Sequence, residues 1–243
     1  MMVELNNILK GFTKKEWLGS ILFFVVLMTT QIATGSTLIA LFASAMGFLY
    51  VTLVRKGSRL CYIFGAIQIV TYIYISLSSK FYGDVMLNSF NLIMQPIGWY
   101  LWTKSDNNGQ VKAKTLPNEK FYRLALIWIL AIIGYGLFVL RPLGGNTPLV
   151  DAVTTVSSIT AMLLSVNGYK DQWKFWIICN ATSVLMWTLA CFRGDNSAFP
   201  MVVMWVAYLI NSLVAKKEWD RLKKRSTMPS RSAMKCTLRW GTM

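Results

Sequence analysis

Three amides and two indoles recur along one side of a single apolar stretch. Asn88, Asn91, Gln95, Trp99 and Trp102 step by three or four residues, so a helix through them presents all five on one face. They lie within a charge-free run, 85–103, long enough to cross a bilayer. Lipid satisfies no amide, and an unpaired one is costly there. The stripe must therefore face other helices or a wet cavity. It reads either as hydrogen-bonding glue between helices or as one wall of a site for a polar, aromatic solute. Pro96 removes the donor that the Leu92 carbonyl would use and predicts a kink.

A second stripe, Trp173, Trp176, Asn180, Ser183 and Trp187, repeats that spacing. Gln68 lies well inside another apolar run, and Asn211 lies in the inner half of the last one, past Pro200. Each amide alone is satisfied by an interhelical hydrogen bond. Amides at similar depth on four runs are what a solute site near the bilayer midplane requires. Indoles add flat area and a quadrupole that attracts a cation. Trp99, Trp102 and Trp173 also sit near run ends, where an interfacial belt places tryptophan. Trp176 shares a face with Asn180 and belongs with the amides.

Other chemistry is poorly supplied. There is no histidine, which removes the commonest metal ligand and general base. Cys61, Cys179, Cys191 and Cys236 show no paired spacing, and three of them fall in apolar runs. Asp151 is the one carboxylate near a pathway, so a buried acid for proton or sodium coupling is missing. Neither a cofactor nor a catalytic group is expected. The net charge of +15 invites a nucleic-acid reading. The chain is 55% hydrophobic with 14% charged residues, and its charges fall between the apolar runs; that is membrane topology, not nucleic-acid binding.

These residues need helices to carry them. Eight apolar runs read as membrane helices, at 17–34, 37–54, 60–79, 85–103, 124–140, 152–169, 175–192 and 196–215. The first reads as an uncleaved span, because a long charged lead-in precedes it. Of the 25 Lys and Arg, all but Lys80, Arg141 and Arg193 fall on one side, which makes both termini cytoplasmic. Phe81-Tyr-Gly-Asp84 recurs as Phe192-Arg-Gly-Asp195, each copy after one span and before another. The three spans before the 124–140 run then match the three after it, as parallel repeats. The expected fold is an all-α integral membrane protein of eight helices, a 3+1+3 core plus one extra N-terminal helix. Its segments are 1–36 with the extra helix, the first repeat 37–103, a cytoplasmic loop and linker helix 104–148, the second repeat 149–215, and a basic, disordered tail 216–243.

At these residues the chain resembles the PnuC family of nicotinamide riboside transporters. The match rests on Gly98-Trp-Tyr-Leu-Trp102, on Trp173-Lys-Phe-Trp176-Ile-Ile-Cys-Asn180, and on Asn211. It covers roughly residues 37–215, and the two-tryptophan–asparagine pattern is its most specific part. The resemblance implies a fold related to the SWEET sugar transporters and a homotrimer in a bacterial inner membrane. It implies passive passage of nicotinamide riboside, trapped by a cytoplasmic riboside kinase. It makes Trp173, Trp176, Asn180 and Asn211 the best-supported substrate contacts, with Gln68, Asn88 and Gln95 weaker transfers. Asn91 and Trp99 join them on the stripe argument. The resemblance extends to relatives that carry thiamine, riboflavin or nucleosides, and the motifs do not by themselves exclude these. A substrate-capturing subunit of an energised complex is the other reading.

Overall fold

A computed structural model of the chain describes residues 12–78, 82–107, 110–143, 147–194 and 199–227. Lys80, Phe81, Asp195 and the chain beyond 227, with Cys236, lie outside the described residues. Eight long helices carry the described chain. Helix α1, Lys14–Ala33, starts at a capping box in which Glu16 N–H donates to Thr13 Oγ1 and Thr13 N–H to Glu16 Oε2. Helix α2 is Leu38–Arg55, capped by Thr37, and α3 is Cys61–Ser78. Helix α4, Tyr82–Lys104, runs on through Pro96 without a break. A two-residue hairpin, β1 Asp106–Asn107 with β2 Gln110–Val111, follows. Helix α5, Asn118–Gly134, passes into a π-helical turn, Tyr135–Leu140. Helices α6, Pro148–Val166, α7, Gln172–Phe192, and α8, Phe199–Thr227, complete the bundle.

Seven of these helices are long and apolar enough to cross a membrane. Helix α4 has the length, 23 residues, but its amides lower its mean hydropathy. Leu22, Leu126, Leu130 and Phe138 are among many large apolar side chains left exposed, as a lipid-facing surface requires. Packing follows chain order: α2 on α3, α3 on α4, α6 on α7, α7 on α8. Helix α4 also meets α6, α2 meets α8, and α1 lies against both α2 and α8. Cys61, Cys179 and Cys191 are free thiols.

The core sits at the end of the bundle where Arg55, Lys56 and Lys170 cluster, here called the basic end. Leu53, Leu60, Tyr62, Trp102, Val111 and Trp219 are buried there in one cluster. Helices α2 and α6 both leave this end through a left-handed glycine, Gly57 at φ 68° and Gly168 at φ 74°. The α4–α5 loop is stitched across both turns. Val111 N–H donates to the Gly57 carbonyl at 2.8 Å and Lys114 N–H to the Gly168 carbonyl at 2.8 Å. Leu116 N–H donates to Asp171 Oδ2 at 2.8 Å.

Two boundaries differ most from the sequence expectation. Helix α5 begins at Asn118, ahead of its apolar run, because Pro117 ends the loop and the polar first turn lies beside Asp171 and Lys174. Helix α8 continues to Thr227, well into the segment read as tail. It does so because Glu218 and Trp219 turn inward. Glu218 pairs with Arg55 and Lys56, and Trp219 is fully buried.

Candidate substrate site

Inside the bundle lies a cavity of about 520 Å³. Helices α2, α3, α4, α7 and α8 form its walls, with Ser158 from α6 and Gln31 from α1. Its volume falls in the range typical of small-molecule sites. Helix α2 makes room for it. Ala40, Ala43, Ser44 and Gly47 recur at helical spacing along its wall, and a Cβ on Gly47 would stand 3.4 Å from Gln68 Cγ.

Gln68, Asn88, Asn91, Trp173, Trp176, Asn180 and Asn211 all line this cavity. Among the described residues none of the lining side chains is a carboxylate, a lysine or an arginine. Asn91 Oδ1, Asn211 Oδ1 and Trp173 Nε1 are buried with no hydrogen-bond partner among the described residues. Two acceptors and a donor along the cavity are therefore unmet by the described residues, and each is costly unless something else meets it. The Asn180 amide is different. Its Nδ2 donates to Ser212 Oγ at 2.7 Å and to the Tyr208 carbonyl at 3.2 Å, tying α7 to α8. What it has left to offer a ligand is its carbonyl oxygen.

Gln95 and Trp99 lie away from the cavity. Gln95 is 2% exposed, its Nε2 donates back to the Asn91 carbonyl at 3.0 Å, and its Oε1 would meet a Cβ on Gly65 of α3. It fills the α3–α4 contact. Trp99 lies under the Arg59 guanidinium, 5.6 Å from the ring centre. Trp102, from the same stripe, is buried in the core of the basic end. Asp151 is half-buried in the first turn of α6, with both carboxylate oxygens 3.4 Å from Thr147 Oγ1, and does not line the cavity.

Several lining residues were not singled out from the sequence. Met201, Met204, Trp205, Tyr208 and Ser212 join Asn211 on one face of α8. Their three-and-four spacing was the usable signal, the same one that marked α4 and α7. Tyr50, Tyr72 and Ser76 had no such signal, since nothing in α2 or α3 alone says which face meets a void.

An apolar exterior of long helices around an uncharged, amide-and-indole cavity defines a multi-pass helical membrane protein with an internal solute-sized chamber. A family model described as nicotinamide mononucleotide transporter matches residues 37–221, and the chain belongs to this family, the PnuC transporters. It is 31% identical to the nicotinamide riboside transporter PnuC of Neisseria mucosa over 224 residues, 88% of this chain and 84% of that protein. Against the Haemophilus influenzae protein of the same name the identity is also 31%, over 86% of this chain and 90% of the relative. A solved structure described as the vitamin B3 transporter PnuC superposes with a TM-score of 0.78 at 29% identity, covering 93% of this chain and all of that one.

Proposed function

We propose that this protein carries nicotinamide riboside across a bacterial inner membrane by alternating access, without a coupling ion. The observation that carries the choice of substrate is the uncharged cavity. The pyridinium of the riboside is a flat cation suited to the faces of Trp173, Trp176 and Trp205. Its carboxamide and ribose hydroxyls suit Asn91, Asn180, Asn211 and Gln68. The family description names the mononucleotide and the relatives' names give the riboside. A phosphate calls for arginine or lysine, and none lines the cavity among the described residues, which favours the riboside.

In this reading both termini are cytoplasmic, and the triplets 37–103 and 149–215 rock about the solute on either side of the linker helix. The carrier is a homotrimer, and a cytoplasmic kinase traps the riboside by phosphorylation. That Asp151 is not among the cavity's lining residues supports uncoupled movement. The test is uptake by the purified protein alone in liposomes, with mononucleotide, thiamine, riboflavin and deoxynucleosides as competitors. Labelled riboside equilibrates, the mononucleotide does not compete, and imposed pH or sodium gradients change nothing. Enclosing a riboside kinase with ATP turns equilibration into accumulation. Gradient-driven accumulation without the kinase would overturn the uncoupled mechanism, and no uptake without a further subunit would overturn the self-contained carrier.

A further inference from the structure

Two tryptophans outside the cavity make the same bond in corresponding places. Trp102 Nε1–H, near the end of α4, donates to the Ser165 carbonyl near the end of α6, at 3.0 Å. Trp219 Nε1–H, in α8, donates to the Val54 carbonyl near the end of α2, at 3.0 Å. The two acceptors are 111 positions apart, the same offset that separates Gly57 from Gly168. Each indole ties one half of the bundle to the other. The rings are 2% and 0% exposed and lie against each other with centroids 5.7 Å apart. Trp219 also meets Trp173, a cavity wall, at 6.1 Å. The pair thus forms a floor between the cavity and the basic end.

The two seams are unequal. Across α2–α8, Arg55 Nε lies 3.2 Å from Glu218 Oε1 and Lys56 Nζ 3.3 Å from Glu218 Oε2. Lys56 also pairs with Glu16 of α1 at 3.0 Å, and Arg55 Nη2 donates to Ser20 Oγ. Across α4–α6, no ion pair joins the helices among the described residues. That seam has the Trp102 bond, with the Tyr62 ring edge-on to the indole at 5.0 Å. Parting a buried ion pair strands its charges, whereas parting one neutral hydrogen bond does not.

We propose that Trp102 and Trp219 gate the cavity toward the basic end, and that the gate opens at the α4–α6 seam while the ion-paired α2–α8 seam serves as pivot. The need for an opening rests on the transport reading above. The test places a reporter cysteine, Ser158→Cys, on the cavity wall of the full-length protein carrying Cys191→Ser and Cys236→Ser. Cys61 and Cys179 stay, being buried. An impermeant thiol reagent is applied to each face in turn, and Lys112→Cys identifies the basic face. Trp102→Phe keeps a ring and loses the donor. It is expected to speed labelling from the basic face about five- to tenfold. Trp219→Phe, with the ion pairs intact, is expected to change it by less than about twofold. Equal acceleration in both variants overturns the pivot assignment. No acceleration in a Trp102→Phe protein that still binds riboside by calorimetry overturns the gate. Should Trp102→Phe fail to fold, Tyr62→Leu, which removes the ring beside the indole, probes the same seam with the same two outcomes. If the protein with both indoles intact binds no riboside yet the labelling pattern holds, the gate stands and the substrate reading fails.

Discussion

Asn180 ties α7 to α8 and, in the proposed function, also contacts the solute. Its NH2 is taken by Ser212 and Tyr208, so the amide offers a ligand an acceptor and not the donor–acceptor pair that its chemistry alone allows. Trp176 lies one turn away on the same wall. Removing a buried hydrogen-bonding partner costs about 1–3 kcal/mol, so Asn180→Ala is expected to weaken riboside binding roughly ten- to a hundredfold. It also lowers the melting temperature, because the α7–α8 tie goes with it. Trp176→Ala weakens binding more than Trp176→Phe, since the smaller ring keeps part of the π face. Calorimetric titration of the folded variants decides the matter: unchanged affinity in both alanine variants removes the pair from the site.

The α4–α5 loop is as much a structural element as the helices it links. Val111 bonds to the Gly57 turn, and its two methyls approach both left-handed glycines. A Cβ on Gly57 would stand 3.1 Å from Val111 Cγ1, and one on Gly168 3.1 Å from Val111 Cγ2. Gly57→Ala and Gly168→Ala are each expected to cost about 1–2 kcal/mol from the left-handed backbone alone, and more from crowding Val111. Gly35 is the comparison, with φ 68° and nothing within 4 Å of its would-be Cβ. Thermal melting should place Gly35→Ala above both. Val111→Ala should restore part of the loss at Gly57 and Gly168 and none at Gly35, because only the first two share that contact. An equal loss at all three would mean that the loop stitch adds nothing.

At the scale of the whole molecule, most charge is gathered at the basic end, and among the described residues none lines the cavity. Glu16, Arg55, Lys56 and Glu218 form a half- to fully buried network joining α1, α2 and α8. The leading helix, expected from the sequence as an extra to the 3+1+3 core, is thereby tied to the rest of the bundle and also supplies Gln31 to the cavity. In the proposed orientation, which rests on the placement of Lys and Arg, the basic end faces the cytoplasm. A cysteine at Arg193, which is exposed, should react with an impermeant thiol reagent from outside intact cells, and one at Lys112 should not. The opposite pattern reverses the orientation. It would leave the cavity and the gate geometry untouched.

Periodicity made much of this protein legible from its residues alone. Charge-free runs of bilayer length declare helices whatever their neighbours, because lipid forces every backbone group to be satisfied within the run. The α4 and α7 stripes named five of the cavity's residues, to which Gln68 and Asn211 add two, since a shared face is a property of one helix. Which neighbour that face meets is a property of two. Gln95 and Asn91 share a stripe, yet one packs on Gly65 and the other opens on the cavity. The Trp102 and Trp219 bonds span 63 and 165 residues, and no local pattern encodes such pairings. The extension of α8 past its apolar run depends likewise on Arg55 and Lys56 waiting for Glu218. The chain's own spacing decided the helices and their polar faces. Only the packing of one helix against another decided which faces enclose the cavity and which seal its floor.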